Sequence, residues 1–170
     1  LLYESHDYGA LGRAANGALL MTYEWGYNAG PPMAVAPLDK VRQVVDYALG
    51  EIEAKKLFLG VPVYGYDWPL PYRQGVTRGV SIAPREALDL ARRQGAEIRF
   101  DETAQAPWFR YTAADGREHE VWFEDARSSY AKFRLAAEKG LQGVGLWNLM
   151  RPAVQTYLVL HGGFEIEEVR

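Results

Sequence analysis

The sequence predicts an α/β fold, and three observations lead to this prediction. Short apolar segments alternate along the chain with helix-length amphipathic segments. An aromatic residue lies at the C-terminal end of each apolar segment. The middle of the chain breaks the alternation with strand and hairpin signals of its own. Alternating strands and helices are typical of a parallel sheet covered by helices.

The apolar segments predict three buried parallel strands. Their shortness and apolar character fit strands that are covered on both faces. The predicted strands are Ala18–Glu24, Lys56–Tyr64 and Leu141–Trp147. Tyr23, Tyr64 and Trp147 stand at or next to the carboxyl ends of these strands. Because α/β folds with parallel strands carry their sites at that edge, these aromatic residues are the first candidates for a functional site.

Three helices are predicted around these strands. The first runs from Pro37 to about Leu49, and its apolar side chains recur at helical spacing on one face. The second covers Ser128–Lys139 and is followed by Gly140, a common residue after a helix C-terminus. The third covers Ala153–His161.

Residues 66–125 are predicted to form a small α+β unit inserted between a strand and the helix that follows it. A helix over Pro84–Gln94 begins with proline and is followed by Gly95, as helix ends often are. The predicted strands are Glu97–Phe100, Trp108–Thr112 and Glu118–Phe123. The turn at 114–116 indicates a hairpin between the last two strands. Residues 1–65 and 126–170 then form the α/β part.

The length of the α/β part bears on its architecture. A complete (β/α)8 barrel takes about 250 residues, and this chain has only about 110 residues outside the insertion. If the α/β part belongs to a barrel, it supplies three βα units. We therefore expect the C-terminal half of a (β/α)8 TIM barrel with an inserted α+β domain.

Composition excludes several function classes. The 19 basic and 22 acidic residues give a net charge of -3, which lacks the basic excess of a nucleic-acid binder. No apolar run approaches the ~18 residues that suggest a membrane span. The chain has no cysteine, and its three histidines are scattered, so neither a metal site nor a cofactor is expected. Aromatic residues make up 13% of the chain, which suits either a dense core or a surface that stacks against apolar ligand faces.

Six segments together resemble glycoside hydrolase family 18, and within it the bacterial spore enzymes that hydrolyse peptidoglycan as N-acetylglucosaminidases. They are MTYEWG (21–26), AGPPMAV (29–35), VYGYDW (63–68), AQAPWFRYT (104–112), HEVWFEDARS (119–128) and GVGLWNL (143–149). The resemblance covers nearly the whole chain and keeps the order of the family's motifs. It implies a (β/α)8 barrel in which the three predicted strands are the sixth, seventh and eighth.

The resemblance also implies roles for four residues. The family cleaves by substrate-assisted retention, in which the N-acetyl oxygen of the substrate attacks the anomeric carbon. Tyr23 resembles the tyrosine that holds the acetamide carbonyl, and Trp147 resembles the tryptophan that forms the floor of the −1 subsite. Glu24 stands where many relatives carry Asp and is expected to contact the same sugar, whereas Met21 is expected to pack beneath that sugar.

Two interpretations stay open for the residues that follow the second strand. Tyr64, Tyr66, Asp67 and Trp68 could line the subsites on the leaving-group side, or they could pack the insertion onto the barrel. Asp125 is expected to cap the next helix. His119 is expected to be a surface or hairpin residue.

One family feature is missing from the sequence. The resemblance implies an acidic DxxDxDxE signature on the fourth strand whose last glutamate is the general acid, and no segment here resembles it. We therefore expect no catalytic acid in this chain, an acid upstream of Leu1 in a longer parent enzyme, and no hydrolysis by this chain alone.

The expected partner is a polysaccharide that contains β-1,4-linked N-acetylglucosamine, either peptidoglycan or chitin. The resemblance implies a location in the spore coat or cortex, or outside the cell at the wall. Two alternatives remain open: a glycan-binding module without catalysis, and a half barrel that associates with itself. Because half a barrel leaves strand edges unpaired, we expect the isolated chain to form a homo-oligomer.

Overall fold

The computed structural model describes residues 6–148, 150–151 and 153–166. The helices of this part are α1 (Tyr8–Ala14), α2 (Leu38–Leu49), α3 (Pro84–Gln94), α4 (Ala126–Glu138) and α5 (Val154–Gly163). The strands are β1 (Ala18–Leu20), β2 (Leu57–Pro62), β3 (Gly65–Pro69), β4 (Val80–Ile82), β5 (Arg99–Asp101), β6 (Ala106–Thr112), β7 (Glu118–Trp122) and β8 (Gly143–Trp147). A short 3₁₀ helix, Ala54–Lys56, precedes β2.

Three of the strands form a parallel sheet in the order β1-β2-β8. β2 lies in the middle, and its residues Leu57, Leu59 and Val61 have no exposed surface. They pack with Val41 and Val45 of α2 and with side chains of α4 in one core. Both α2 and α4 therefore cover the same face of this sheet, and the α/β class predicted from the sequence is confirmed.

The other five strands form an antiparallel sheet in the order β4-β3-β7-β6-β5. Its core joins Phe109, Val121 and Phe123 to Ala87 and Ala91 of α3. Helix α3 begins where the Glu86 carboxylate accepts a hydrogen bond of 2.7 Å from the Ala83 N–H. It ends at Gly95, whose φ of 61° is in the left-handed region that favours glycine.

Several predicted elements differ in extent from the observed ones. The strand predicted over Ala18–Glu24 ends at Leu20, because the chain turns there: the Thr22 N–H bonds the Leu20 carbonyl at 2.9 Å. The strand predicted to reach Tyr64 ends at Pro62. Tyr23, Glu24 and Tyr64 thus lie in loops beyond the strands. Helix α1 and strands β3 and β4 were not predicted.

One link between the antiparallel sheet and the helices of the parallel sheet lies at the start of α4. Asp125 caps this helix as expected, accepting hydrogen bonds from the N–H groups of Arg127 (2.9 Å) and Ser128 (3.0 Å). The preceding Glu124 forms an ion pair of 2.8 Å with Lys132, and both side chains are almost fully buried. Since Glu124 follows β7 and Lys132 lies on α4, this pair joins the antiparallel sheet to the helical layer of the parallel sheet.

Neither sheet closes into a barrel in the described part of the chain. β1 and β8 are the outer strands of the parallel sheet, and within the described residues each pairs only with β2. The sheet therefore has two free edges. None of the described helices is long and apolar enough to cross a membrane. The ends of the predicted α/β part, residues 1–5 and 167–170, lie outside the described residues.

The buried ion pair leads to a stability prediction. Lys132→Met should lower the free energy of unfolding by about 3–5 kcal/mol, because it leaves the Glu124 charge buried without a partner. The double variant Glu124→Leu/Lys132→Met should be markedly more stable than the single variant. Urea-induced unfolding measures both.

A matched control lies on the same helix. Arg134→Met breaks an exposed ion pair of 3.0 Å with Glu138 and should cost less than about 1 kcal/mol. Equal stabilities for Lys132→Met and the double variant would contradict the account of the pair.

Candidate functional site

The candidate site lies at the carboxyl edge of the parallel sheet. Tyr23 and Glu24 follow β1, Tyr64 follows β2, and Trp147 is the last residue of β8. Parallel pairing brings the three strand ends to one edge, so residues far apart in sequence lie near one another. Tyr23, Tyr64 and Trp147 therefore all lie at this edge of the sheet.

The Glu24 carboxylate is held by two tyrosine hydroxyls. Tyr64 donates a short hydrogen bond to Oε1 of Glu24. Tyr66 donates to the same oxygen at 3.1 Å and lies 3.3 Å from Oε2. The two tyrosine rings pack edge to face, with centroids 5.8 Å apart. Glu24 itself has a φ of 66°, a left-handed conformation that is strained for a residue other than glycine.

All three tyrosines at this edge are harder to ionise than free tyrosine. Burial and then the negative charge of Glu24 raise the pKa of Tyr23. Burial, followed by the hydrogen bond to Glu24, raises the pKa of Tyr64 strongly. The pKa of Tyr66 rises to about 12, chiefly through burial and the Glu24 charge, although the positive charge of Arg151 opposes this rise. At neutral pH these hydroxyls are therefore hydrogen-bond donors.

Tyr23 depends on a glycine in the neighbouring strand. A Cβ atom added to Gly60 of β2 would lie 2.9 Å from a ring carbon of Tyr23 and 2.6 Å from the Leu20 carbonyl oxygen. Thr22 is anchored in the same place, since its hydroxyl donates to the Gly60 carbonyl at 3.1 Å. Only glycine at this position lets the loop after β1 lie directly on β2.

Trp147 and Met21 offer open apolar surface at this edge. The Trp147 residue is 53% exposed and Met21 is 73% exposed. Trp147 pairs with Pro62 in the register of the sheet, and its carbonyl accepts the Val63 N–H at 2.8 Å. The backbone of Trp147 is thus fixed while its indole remains accessible to a ligand.

Asp67 contacts residues outside this cluster, and its contacts favour the interpretation in which it packs the insertion. It alternates with Tyr66 along β3 and so points to the opposite face of the antiparallel sheet. There its carboxylate accepts a hydrogen bond of 2.7 Å from the Tyr111 hydroxyl and lies 2.7 Å from Nδ1 of His119. His119 is accordingly a hairpin residue, one of the two positions expected for it, and it is a half-buried partner of Asp67.

Trp68 is fully buried. It has no exposed surface, so it cannot stack on a sugar. A Cβ atom on Gly79 would lie 2.7 Å from its indole nitrogen, and its ring tilts against that of Tyr66 at 5.4 Å. Asp67 and Trp68 therefore fit the second interpretation, in which they pack the inserted unit.

Sequence reasoning missed two residues near the cluster. Arg151, which follows β8, is close enough to Tyr66 for its charge to affect the pKa of that hydroxyl. Trp25 is 38% exposed next to Glu24, and its N–H bonds the Val35 carbonyl at 3.0 Å. A signal for Trp25 was present, since it belongs to the MTYEWG segment. No local pattern marks Arg151.

The cluster has the chemistry of a site for a neutral polyhydroxylated ligand. A carboxylate and phenol hydroxyls supply directed hydrogen bonds, and an exposed indole supplies a flat apolar surface. Among residues 6–148, 150–151 and 153–166, no group of three or more histidine or acidic side chains is arranged to hold a metal ion.

Comparison with known proteins agrees with this chemistry. The family model of glycosyl hydrolases family 18 matches residues 3–151. The cortical fragment-lytic enzyme of Bacillus subtilis is 49% identical over 164 residues, which are 96% of this chain and 38% of that protein. The chain thus spans well under half the length of this relative.

Solved structures extend the comparison to the fold. The spore cortex-lytic enzyme SleL of Bacillus cereus superposes with a TM-score of 0.94 at 41% identity, covering 97% of this chain and 38% of that one. A chitinase from Chromobacterium violaceum superposes with a TM-score of 0.86 at 34% identity, covering 93% of this chain and 48% of that one.

The contacts of Asp67 with Tyr111 and His119 can be tested directly. Asp67→Asn should destabilise the protein by about 1–3 kcal/mol, because it weakens the bonds to Tyr111 and His119. It should also lower the pKa of Tyr111, which burial and the hydrogen bond to Asp67 raise. Thermal unfolding and tyrosine titration measure the two effects.

Asp115→Asn serves as the control for stability, since Asp115 is an exposed carboxylate in the turn of the hairpin that carries Tyr111 and His119. It should change stability far less. Unchanged stability and an unchanged Tyr111 titration in Asp67→Asn would show that Asp67 has no structural role.

Proposed function

This chain belongs to glycosyl hydrolases family 18. From that premise we propose that it is part of an enzyme that cleaves β-1,4-linked N-acetylglucosamine glycans, either peptidoglycan or chitin. The observation that carries the proposal is the cluster at the carboxyl edge of the parallel sheet. It contains Tyr23, Glu24 held by two tyrosine hydroxyls, and an exposed Trp147. Its mixture of directed hydrogen bonds and a flat apolar surface suits a sugar ring.

The proposed architecture is half of a (β/α)8 barrel. β1, β2 and β8 correspond to its sixth, seventh and eighth strands, residues 1–65 and 126–170 belong to the barrel, and residues 66–125 form the insertion. Two observations support this assignment: the parallel sheet has free edges on both sides, and the chain covers 38% of the Bacillus subtilis relative. The remaining strands are supplied by a longer polypeptide.

Each site residue has a proposed role in substrate-assisted retention. The Tyr23 hydroxyl holds the acetamide carbonyl while its oxygen attacks the anomeric carbon, and Trp147 supports the apolar face of the same sugar. Met21 lies beneath that sugar and Glu24 accepts a hydrogen bond from it. Tyr64 and Tyr66 border the site on the side of the inserted unit.

The general acid comes from outside this chain. Protonation of the glycosidic oxygen by a positioned acid typically contributes about 10²–10⁴-fold to the rate. Glu24 is an acceptor of two tyrosine hydrogen bonds and is assigned to binding, not to this proton transfer. The chain alone is therefore inactive, while the complete enzyme is active.

The place of action is proposed from the relatives. The names of the Bacillus proteins describe lysis of spore cortex or of cortical fragments. A peptidoglycan substrate in the spore cortex is consistent with those names, whereas the chitinase of similar fold keeps chitin as the second candidate.

Kinetics of the complete enzyme on a chromogenic N-acetylglucosaminide test the assigned roles. Trp147→Ala should lower kcat/KM at least about tenfold, because the sugar loses its apolar support. Tyr23→Phe should lower kcat more than it raises KM, since its hydrogen bond matters most as the acetamide attacks. The 170-residue chain alone should give no turnover.

Tyr130→Phe, on the outer helix α4, is the control and should keep full activity. Two results would refute these assignments. One is unchanged kinetics in both site variants, and the other is turnover by the chain alone that disappears when one of its residues is replaced.

We also propose that the isolated chain associates with a second copy of itself through the free edge of β8. A groove of about 1010 Å³ lies beside the start of β8, between α4 and α5. Apolar side chains dominate its lining, among them Phe58, Phe133, Leu141, Val144, Leu160 and Phe164. Burying ~500 Å² of such surface contributes on the order of 12 kcal/mol before ordering costs.

Sedimentation equilibrium at micromolar concentration measures this association. The isolated chain should sediment at twice its 19.1 kDa mass, and Phe164→Glu should shift it towards monomer. A clean 19.1 kDa species at all concentrations would show that the free edge does not drive association.

A further inference from the structure

Glu24 is held by two residues from one extended segment. Tyr64 and Tyr66 are two positions apart, so their side chains point to the same side of the chain. Both hydroxyls reach Oε1 of Glu24, which lies 40 and 42 residues earlier in the sequence. Among the described residues, the hydrogen-bond partner of Oε2 is Tyr66, at the longer distance of 3.3 Å. One carboxylate oxygen is therefore satisfied by the protein, and the other is nearly free.

The backbone around Glu24 is fixed as well. The left-handed φ of 66° is costly for glutamate, so the surrounding chain must enforce it. The N–H of Trp25 bonds the Val35 carbonyl at 3.0 Å, and that of Gly26 bonds the Ala34 carbonyl at 2.9 Å. A Cβ atom at Gly26 would lie 2.1 Å from the Met33 carbonyl oxygen, so this close approach requires glycine.

Tyr66 extends this arrangement into the inserted unit. It lies on β3, where it pairs with Trp122 of β7 and Ser81 of β4. Its ring also packs against the buried Trp68. A shift of the antiparallel sheet would therefore move the Tyr66 hydroxyl relative to Glu24.

We propose that Tyr64 and Tyr66 are positioning residues that direct Oε2 of Glu24 towards a hydroxyl or amide N–H of the bound sugar. The inference rests on the proposed glycan hydrolysis. Since Tyr66 belongs to β3, the inserted unit sets the orientation of a sugar-binding carboxylate in the parallel sheet. The unit thus contributes to catalysis through Glu24 even where it does not contact the sugar.

Kinetics of the complete enzyme test this coupling. Tyr66→Phe removes one hydrogen bond to a carboxylate and should lower kcat/KM about tenfold. In a Glu24→Ala background the same substitution should cause little further loss, because the two residues act as a unit. An equal loss in both backgrounds would show that Tyr66 acts independently of Glu24 and would overturn the proposal.

Tyr111→Phe is a matched control. Tyr111 also donates a hydrogen bond to a carboxylate, that of Asp67, but on the opposite face of the same sheet. It should leave kcat/KM unchanged while lowering the unfolding temperature to a similar extent. A tenfold loss of kcat/KM in Tyr111→Phe as well would show that the effect of Tyr66→Phe reflects general damage to the sheet.

A second measurement needs no activity. In NMR spectra of the ligand-free enzyme with ¹³Cζ-labelled tyrosine, the Tyr66 signal is the one that Tyr66→Phe removes. It should titrate with a pKa of about 12 in the wild type and lower in Glu24→Ala, where burial still raises the pKa and the Arg151 charge still lowers it. An unchanged titration in Glu24→Ala would overturn the positioning role.

The two measurements separate the two proposals. If the complete enzyme cleaves no N-acetylglucosamine glycan, the proposed function is wrong, and the Tyr66 titration still decides whether the tyrosines hold Glu24. If the enzyme is active but Tyr66→Phe has wild-type kinetics, only the positioning proposal fails.

Discussion

Parallel pairing on both sides of β2 is the constraint on which the rest of the structure depends. It aligns the carboxyl ends of β1, β2 and β8, and without it Glu24, Tyr64 and Trp147 would lie far apart. The pairing is secured by the burial of β2 against α2 and α4. Gly60 allows the loop after β1 to lie on this strand, so the sheet and the site share one packing requirement.

The antiparallel sheet is coupled to this centre through β3 and β7, its first and last strands along the chain. Tyr66 of β3 donates to Glu24. Glu124 follows β7 and pairs with Lys132 on the helix that covers the parallel sheet. The Leu38 N–H at the start of α2 also bonds the Ala104 carbonyl at 2.9 Å. The inserted unit is therefore part of the architecture that holds the site.

Local sequence signals predicted the elements that depend on local physics. The spacing of Val41, Val45 and Ala48 predicted α2, because all three face the core. Pro84 and Gly95 predicted the bounds of α3, and Asp125 predicted the start of α4. Tyr23, Tyr64 and Trp147 could be grouped in advance because parallel strands share a carboxyl edge.

Features that depend on long-range contacts could not be predicted in this way. Asp67 lies 52 residues from His119 along the chain. The face of the sheet to which the Asp67 side chain points follows only from the pairing of β3 with β7. β1 is shorter than its apolar segment because the chain turns after Leu20, which composition does not reveal. The left-handed conformation of Glu24 and the proximity of Arg151 to Tyr66 likewise arise from tertiary contacts.

We propose above all that the carboxyl edge of the parallel sheet binds an N-acetylglucosamine glycan. A crystal structure of the complete enzyme with an N-acetylglucosamine oligomer tests it most directly. We expect a sugar ring against the Trp147 indole, its acetamide oxygen about 3 Å from the Tyr23 hydroxyl, and Glu24 still bound by Tyr64 and Tyr66. An oligomer bound elsewhere, with Trp147 and Tyr23 making no contact to it, would contradict the account.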